Sequence, residues 1–409
     1  MSGIEEILRK MRRYQIKFIF FCHLAIVAIF FGTPINSQED VGIEENRIIF
    51  GQSAAFSGPA GELGKDMRLG IESAFEEVNT RGGVHGREIH LVTLDDVYEP
   101  DRAVSNTRDL IDNHEIFALI GEVGTPTSRA VVPISEEAGV PFIGPFTGAG
   151  FLRDRSRFGT VVNIRASYQQ EINEMVERLT QDRRISRIAV LYQNDSFGRV
   201  GFNGTINALQ IYGLDLVGRS VYPRNTTAVK TALYDLLIKE PEAIIVVGAY
   251  DPVATAIKWA HKVGFKPVFM TISFVGSNAL ASSLGNNEFP DVYMTQVVPN
   301  FMATNSEVAR EYREALTTFH PGERYGFGSF EGYLVARVTI EALKRCGRDL
   351  DRECFLDQFQ QSSEITVGDM DFYYGEYDNQ GSDEVFLTRF VPQSGFVPVR
   401  SLLDDPQGN

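Results

Sequence analysis

The sequence predicts an α/β protein made of two doubly wound lobes, and two observations support this prediction. From Arg47 onward, short apolar runs alternate with amphipathic helical segments, which is the rhythm of βαβ units and parallel sheets. The alternation runs once as far as Ile143 and starts again near Val161, so we expect two sheets. The chain has 409 residues, a length that suits two to three domains at roughly 100–200 residues each.

The first series predicts four strands and three helices. The strands are expected at residues 48–50, 88–94, 116–120 and 141–143. The helices are expected at residues 65–79, from Pro100 onward, and at residues 128–138. In the first helix Met67, Ile71 and Phe75 share one face, which predicts that this face packs on the core.

The second series predicts strands at residues 187–191, 214–221, 243–247 and 268–271. Helices are expected at residues 168–181, from Gly198, and at residues 229–239 and 252–263. The tail predicts three successive helices at residues 306–319, 328–345 and 352–360. Two further strands are expected at residues 371–377 and 384–391, joined through Asn379, Gln380 and Gly381. Because no low-complexity linker separates the lobes, we expect several short crossings that act as a hinge.

The N-terminal segment predicts export. A basic stretch precedes the apolar run at residues 18–31, which is 14 residues long and interrupted only by His23. That length suits a signal peptide better than a spanning helix, which needs about 20 residues. Cleavage after Ser37 and retention as an uncleaved anchor both stay open. A lipoprotein is disfavoured because Phe21, rather than a small residue, precedes Cys22. In either case the body of the chain lies outside the cytoplasm.

The net charge and the cysteine content restrict the kinds of partner and metal site that the protein can have. The formal net charge of −15 repels phosphate backbones, so we expect no nucleic-acid partner. Cys346 and Cys354 remain after the leader, and an even pair in an exported protein is typical of a disulfide. Two separate thiols are the alternative. No histidine lies near them to complete a zinc site, and we expect no metal and no cofactor.

The sequence contains no arrangement of residues that is typical of an enzyme. There is no nucleophile elbow, zinc-protease motif or phosphate loop. Asp95 and Asp96 end a predicted strand, where adjacent side chains point to opposite faces, so we expect them to cap a loop rather than to act as an acid–base pair.

Small residues and hydroxyl groups follow the strands of the first lobe instead. The loops are residues 57–61, 121–128 and 144–149, and they place Thr125, Thr147 and Gly148 at the carboxyl edge of the sheet. Ligands of open α/β sheets bind at this edge. Helix N-termini and threonine hydroxyls together suit a carboxylate.

Aromatic residues stand at the corresponding places of the second lobe. Tyr168 opens a predicted helix, Phe197 follows an Asn-Asp-Ser turn, and Tyr250 and Phe274 follow strands. Such residues are expected to line the apolar wall of a cleft.

Taken in order, these segments resemble the type I periplasmic binding proteins of the leucine/isoleucine/valine-binding class. The segments that carry the resemblance are residues 56–59, 79–86, 95–100, 120–121, 139–145 and 195–198, with Gly381 near the end. The resemblance implies two lobes joined by three crossings, with a small solute held between them. It places Thr125 and the backbone of Phe146 and Gly148 on the α-carboxylate of the solute, and Phe197 and Tyr250 beside it.

Two positions depart from the pattern of that class. Ser273 stands where amino-acid binders carry an acidic residue for the α-ammonium group. Leu63 stands where many carry a tyrosine. The ligand is therefore left open between an amino-acid-like molecule, an amide and a carboxylate that lacks an amine.

The resemblance implies a periplasmic, monomeric solute receptor that delivers its ligand to the membrane permease of an ABC importer. A ligand sensor that signals to a membrane partner is the alternative. We expect residues 1–38 to be the leader, residues 44–165 and 298–372 to form the N-terminal lobe, and residues 166–297 and 373–409 to form the C-terminal lobe.

Overall fold

The computed structural model of this chain describes residue 3, residues 41–360 and residues 363–404. The predicted leader, with its apolar run at residues 18–31 and Cys22, lies outside these residues. Within the described ranges, no helix is both long enough and apolar enough to cross a membrane.

Five parallel strands form the first sheet, in the spatial order β2-β1-β3-β4-β5. The strands are β1 (Arg47–Ala54), β2 (Glu88–Asp95), β3 (Ala118–Ile120), β4 (Phe142–Ile143) and β5 (Val161–Val162). Helices α1 (Gly61–Thr80), α2 (Pro100–Asp112) and α3 (Thr125–Glu137) follow the first three strands. We call this sheet and the helices that pack with it the first lobe.

Seven strands form the second sheet, in the order β14-β13-β10-β9-β8-β6-β7. They are β6 (Ile188–Gln193), β7 (Gly218–Tyr222), β8 (Ala243–Val247), β9 (Val268–Thr271), β10 (Val292–Gln296), β13 (Phe386–Val391) and β14 (Gly395–Val399). The helices of this second lobe are α4 (Tyr168–Asp182), α5 (Ser196–Ile211), α6 (Lys230–Leu237), α7 (Tyr250–Lys262) and α8 (Ser277–Leu284). Strands β13 and β14 are antiparallel additions to an otherwise parallel sheet.

The order of the strands decides where loops converge. In the first sheet β1 lies between β2 and β3, and in the second β6 lies between β7 and β8. The chain therefore reverses its winding direction next to β1 and next to β6, and ligands of such sheets bind outside the carboxyl ends of the strands at these points. The predicted fold class, two doubly wound lobes, is confirmed.

The C-terminal part of the chain serves both lobes. Helices α9 (Glu307–Phe319) and α10 (Phe327–Cys346) pack against α1 of the first lobe, and α11 (Arg352–Asp357) follows. Strands β11 (Ser363–Val367) and β12 (Met370–Tyr374) pair only with each other among the described strands. The two strands predicted at residues 371–377 and 384–391 are found as β12 and β13, and the chain between them runs through Asn379, Gln380 and Gly381. The two strands do not pair with each other, because β12 pairs with β11 while β13 belongs to the second sheet.

Three segments connect the lobes: residues 163–167, 297–306 and 375–385. Two of them are hydrogen-bonded to each other. The N–H of Asn163 donates to the carbonyl of Asn379 over 2.7 Å, and the N–H of Gly381 donates to the carbonyl of Asn163 over 2.9 Å. The side chain of Asn379 donates to the carbonyls of Leu152 and Val161. The first and third crossings are thus held side by side.

Most predicted elements are found within a few residues of their expected bounds. The strands expected at residues 243–247 and 268–271 match β8 and β9. The sequence did not reveal β10, β11, β14 or α8. Strand β10 has only five residues, and it is buried because β9 and β13 lie on either side of it. Its own sequence therefore shows no clear alternation of apolar and polar residues that would predict a strand.

Glycine permits the close packing of α1 on α10. A Cβ atom at Gly70 would lie 1.9 Å from the carbonyl oxygen of Ser329, and a Cβ atom at Gly332 would lie 2.2 Å from that of Met67. Each glycine therefore lets the backbone of the partner helix approach where any side chain would collide with it. This contact holds the C-terminal helices on the first lobe.

Cys346 and Cys354 form a disulfide that ties the end of α10 to α11. The two cysteines are eight residues apart in sequence. A cross-link limits the conformations of the unfolded chain, and for a loop of this size the stabilisation is about 2–3 kcal/mol.

We predict that a reducing agent lowers the melting temperature of the protein by several degrees. The Cys346→Ser/Cys354→Ser double variant should melt at that lower temperature with and without reductant. Thermal denaturation of both proteins, combined with thiol titration, measures this. An unchanged melting temperature together with two titratable thiols in the untreated protein would contradict it.

Candidate functional site

Two threonine hydroxyls face each other at the carboxyl edge of the first sheet. Thr125 opens α3 directly after Gly124, whose φ of +104° places it in a region that favours glycine. Thr147 lies in the loop after β4, and the hydroxyl oxygens of the two threonines are 2.7 Å apart. Both side chains are buried. Since the first N–H groups of a helix have no partner within it, this corner offers N–H and O–H donors together and suits an anion.

Tyr168, the first residue of α4, lies against this corner. Its N–H donates to the carbonyl of Gly148 over 2.8 Å. A Cβ atom at Gly148 would lie 2.5 Å from the same nitrogen, so the contact requires glycine. Burial raises the pKa of Tyr168 to about 12, although Arg165 and the neighbouring Thr147 hydroxyl lower it. The buried phenol is therefore neutral, and its hydroxyl has no partner among the described residues.

Phe274 is the centre of an aromatic cluster to which both lobes contribute. It lies in the short turn after β9, and its ring centroid is 4.6 Å from that of Phe197 and 5.7 Å from that of Phe146. Phe197 in turn contacts Tyr168, with centroids 5.6 Å apart. All four rings are buried. The apolar wall expected from the second lobe therefore meets the loop after β4 of the first.

Leu63 and Tyr250 lie along the same junction. A Cβ atom at Gly276, two residues after Phe274, would lie 2.6 Å from Cδ2 of Leu63. Burial raises the pKa of Tyr250, and a hydrogen bond with the backbone of Glu62 opposes this rise. Tyr250 thus contacts the start of α1 across the junction.

Tyr98 is a cleft residue that the sequence reasoning missed. It follows β2, its backbone is left-handed with φ of +64°, and its ring lies over Gly124, where a Cβ atom would come within 2.2 Å of Cε2. Its centroid is 6.1 Å from that of Phe274. Asp96, which was predicted to cap the loop, accepts the N–H of Tyr98 over 2.8 Å and so fixes this turn. The sequence around Tyr98 gave little indication of this position, because the neighbouring residues do not distinguish it from a tyrosine on the surface.

A buried arginine connects the two lobes beside the aromatic cluster. Arg165, in the first crossing, is 3.1 Å from Oε1 of Glu171 in α4 and 3.4 Å from Oε1 of Glu331 in α10. It also donates to the hydroxyl of Ser273. All of these side chains are buried.

The hydrogen bonds of this cluster use the whole capacity of Glu171. Its carboxylate accepts from Arg165, from the N–H and the hydroxyl of Ser273 at 2.8 Å and 3.0 Å, and from the hydroxyl of Thr295 at 2.6 Å. A carboxylate offers about four acceptor sites, so none is left for a ligand.

The charges in the cluster balance one another in part. Burial opposes the charge of Arg165, but Glu331 and Glu171 outweigh it and raise the pKa of this arginine. Burial raises the pKa of Glu331 to about 7, against the opposing effect of Arg165. The guanidinium of Arg165 therefore offsets part of the negative charge in the cluster.

A second pair of buried acids lies behind the loops of the first lobe. Glu122, after β3, is buried, and neither of its carboxylate oxygens has a partner among the described residues. Burial raises its pKa well above the usual value, and Asp96 raises it further. Burial of Glu122 therefore favours its neutral, protonated form. The described residues include no group of three or more His, Cys, Asp or Glu side chains that could hold a metal ion.

Comparison with known proteins agrees with this geometry. A family model described as periplasmic binding protein matches residues 48–395. The chain belongs to this family. Its members are solute-binding proteins without enzymatic activity, so the protein is a solute-binding receptor.

Individual relatives of this periplasmic binding protein cover most of the chain. A crystal structure of a possible leucine/isoleucine/valine-binding protein from Rhodopirellula baltica is 35% identical, covers 91% of this chain and 100% of its own, and has a TM-score of 0.82. A substrate-binding periplasmic protein from Ralstonia solanacearum is 28% identical, covers 86% of this chain and 99% of its own, and has a TM-score of 0.77. The Leu/Ile/Val-binding protein homolog 7 of Brucella abortus is 28% identical over 316 residues, 73% of this chain and 77% of that relative.

The structure brings the ten predicted ligand-binding residues of this periplasmic binding protein to one junction. Their roles toward a ligand stay a prediction, and so does the monomeric state. The sequence analysis missed Tyr98, Arg165 and Glu171, whose importance depends on partners that are distant along the chain. Neither Glu331 nor Glu122 replaces the acid missing at Ser273, since Glu331 pairs with Arg165 and Glu122 lies beside Asp96.

We predict that stability falls as the pH rises from 5 to 8 and that Asp96→Asn reduces this fall. Burial raises the pKa of Asp96 to about 7 from an ordinary 3.8. A raised carboxyl pKa gives stability that is fully present below pH 3.8 and is lost as the pH rises through 7, by at most about 1.4 kcal/mol per pH unit for one group. Asparagine keeps the acceptor for Tyr98 and cannot ionise.

Melting temperatures of both proteins across this pH range measure the effect. Asp101→Asn in α2 is the control, because Asp101 is exposed. If the melting temperatures of the unmodified protein and of Asp96→Asn changed in parallel with pH, the raised pKa of Asp96 would be contradicted.

Proposed function

We propose that this periplasmic binding protein is the receptor of an ABC importer and that it holds a carboxylate without an α-ammonium group between its lobes. One observation carries the proposal. The hydroxyl pair Thr125–Thr147 of the first lobe and the ring of Phe274 from the second lobe meet at the junction where the carboxyl edges of both sheets converge.

The corner at Thr125 suits the carboxylate. The start of α3 carries a partial positive charge, and Thr125 and Thr147 supply hydroxyl donors in a buried setting. The hydroxyl of Tyr168 adds a third donor beside Thr147. A carboxylate held by several such donors keeps its charge when it is removed from water.

The opposite side of the cleft does not suit an ammonium group. Ser273 replaces the expected acid, and the nearest carboxylate, Glu171, is saturated by its own partners. Burying an unpaired ammonium is costly, so amino acids are disfavoured relative to acids without an amine.

Closure of the lobes is the proposed mechanism. The structure has the lobes in contact on the side of Tyr98 as well, where Arg224 after β7 donates to the carbonyl of Tyr98 over 2.7 Å and pairs with Glu99. Asn225 donates to the same carboxylate over 2.6 Å. We propose that the lobes comprise residues 44–165 with 298–372, and 166–297 with 373–409, and that they swing about the three crossings.

The importer role follows from closure. Ligand bound to both lobes favours the closed form by its differential affinity for that form. A permease that recognises faces of both lobes then engages only the loaded receptor. Membership of a family of periplasmic solute-binding proteins supports this role.

We predict that Thr125→Ala weakens binding of the solute by about 5- to 30-fold, because it removes one hydroxyl donor worth about 1–2 kcal/mol. A thermal-shift screen of carboxylates, amides and amino acids identifies the solute by its stabilising effect, and calorimetry then gives the affinities. Thr339→Ala is the matched control, since Thr339 is also buried in the first lobe but bonds only to Val335 within α10. Equal affinities for both variants and the unmodified protein would disprove the carboxylate corner.

We predict that Glu99→Gln opens the ligand-free protein. The pair with Arg224 joins the lobes and is partly exposed, so its loss costs at most about 1 kcal/mol and shifts the population several-fold. Small-angle scattering should give a larger radius of gyration for Glu99→Gln. Glu314→Gln, which removes a pair within α9, should leave the radius unchanged. Identical scattering from both variants would show that this contact does not hold the lobes together.

A further inference from the structure

Two buried tyrosine hydroxyls on opposite lobes have no hydrogen-bond partner among the described residues. They belong to Tyr98, which follows β2 in the first lobe, and to Tyr222, which ends β7 in the second. Each residue is 1% exposed. A buried hydroxyl without a partner is costly, and most such groups in folded proteins find one. The two unpartnered hydroxyls therefore indicate that a ligand supplies a polar group to bond with them.

The two tyrosines lie in one neighbourhood, because the guanidinium of Arg224, two residues after Tyr222, is 5.5 Å from the centroid of the Tyr98 ring. Burial raises the pKa of Tyr98, and Asp195, Tyr168 and Tyr222 raise it further while Arg224 lowers it. Burial also raises the pKa of Tyr222, with Asp195 adding to the effect. Both phenols are thus neutral donors that lie near the same carboxylate.

Asp195 does not satisfy these hydroxyls itself. It caps α5, where its carboxylate accepts the N–H of Gly198 over 3.0 Å and the side-chain amide of Gln193 over 2.6 Å. The backbone of Ala249 opposes the rise in the pKa of Tyr222, but no described group accepts the proton of this hydroxyl.

Aromatic rings line the cleft between the Thr125–Thr147 pair and the hydroxyls of Tyr98 and Tyr222. Tyr98 contacts Phe274, and Phe274 contacts Phe146 and Phe197, so a flat apolar body suits the middle of the cleft. A carboxylate at the far end is disfavoured by Asp195. A cation there is disfavoured by Arg224, which is already engaged with Glu99. A neutral hydroxyl, which can both donate and accept, suits the two phenols.

We propose that Tyr98 and Tyr222 select an aromatic carboxylic acid that carries a hydroxyl group at the end of the ring opposite its carboxylate. The carboxylate occupies the Thr125–Thr147 corner, and the ring lies against Phe274. This inference rests on the proposed function, since it assigns the solute class of the same cleft.

Calorimetry with two matched pairs of acids tests the inference. The pairs are benzoate with 4-hydroxybenzoate, and 3-phenylpropanoate with 3-(4-hydroxyphenyl)propanoate. The protein should bind the hydroxylated member of at least one pair about tenfold or more tightly than its partner, because a site with buried donors rejects an analogue that leaves them unpaired. Tyr98→Phe and Tyr222→Phe should each reduce that ratio at least about threefold.

Tyr374→Phe is the matched control. Its hydroxyl is also buried and without a partner among the described residues, but its ring packs against Phe359 rather than against the cleft. The ratio should be unchanged in this variant. Far-ultraviolet circular dichroism and melting temperatures establish that all three variants fold.

Three results would overturn the inference. They are equal binding of both members of each pair, an unchanged ratio in both Tyr98→Phe and Tyr222→Phe, and no binding of any of the four acids. If none of the four binds while another solute stabilises the protein in the thermal-shift screen, the receptor function stands and only the solute class is wrong. If no solute in that screen stabilises it, the proposed function fails as well.

Discussion

One buried arginine links the lobes, and the cleft is arranged around it. Arg165 contacts Glu331 of the first lobe and both Glu171 and Ser273 of the second. Three charged side chains have been removed from water at this point, which is tolerable only while each keeps its partners. The cluster therefore fixes α4 against α10, and α4 in turn places Tyr168 at the carboxylate corner. The guanidinium also lies over the ring of Phe146, 5.1 Å from its centroid, so the same residue orders the aromatic cluster.

The same cluster decides which charges the cleft can accept. An unpaired carboxylate is the natural partner of an ammonium group, and the internal hydrogen bonds use all the acceptor sites of Glu171. Glu331 is paired with Arg165, and burial of Glu122 favours its neutral form. The relatives named for leucine, isoleucine and valine thus share the scaffold with this chain, while the solute that we propose for its cleft differs from an amino acid. Conservation of the fold and divergence of the ligand are compatible, because the fold is set by the sheets and the ligand by a few loop residues.

Local pattern was enough to predict the lobes, most helices and the buried strands, because apolar periodicity and turn residues act over short distances. It also placed Thr125 and Phe274 at strand ends, where the topology brings them together. It was not enough for Arg165, whose bond to Ser273 spans 108 residues, or for Tyr98, which gains its position from Asp96 and Gly124. Local pattern placed a strand on each side of Gln380 but did not show that the two belong to different sheets, because strand pairing depends on which neighbour is nearest in space.

The proposed solute class depends on one feature of the cleft: among the described residues, no carboxylate beside Ser273 is free to accept from an ammonium group. Calorimetric titration of matched pairs that differ only in the amine tests this most directly: leucine against 4-methylpentanoate, and tyrosine against 3-(4-hydroxyphenyl)propanoate. In whichever pair binds, the acid without the amine should bind about tenfold or more tightly, because a buried ammonium would lack a partner. Equal or tighter binding of the amino acid would show that the cleft does hold an ammonium group and would contradict the account.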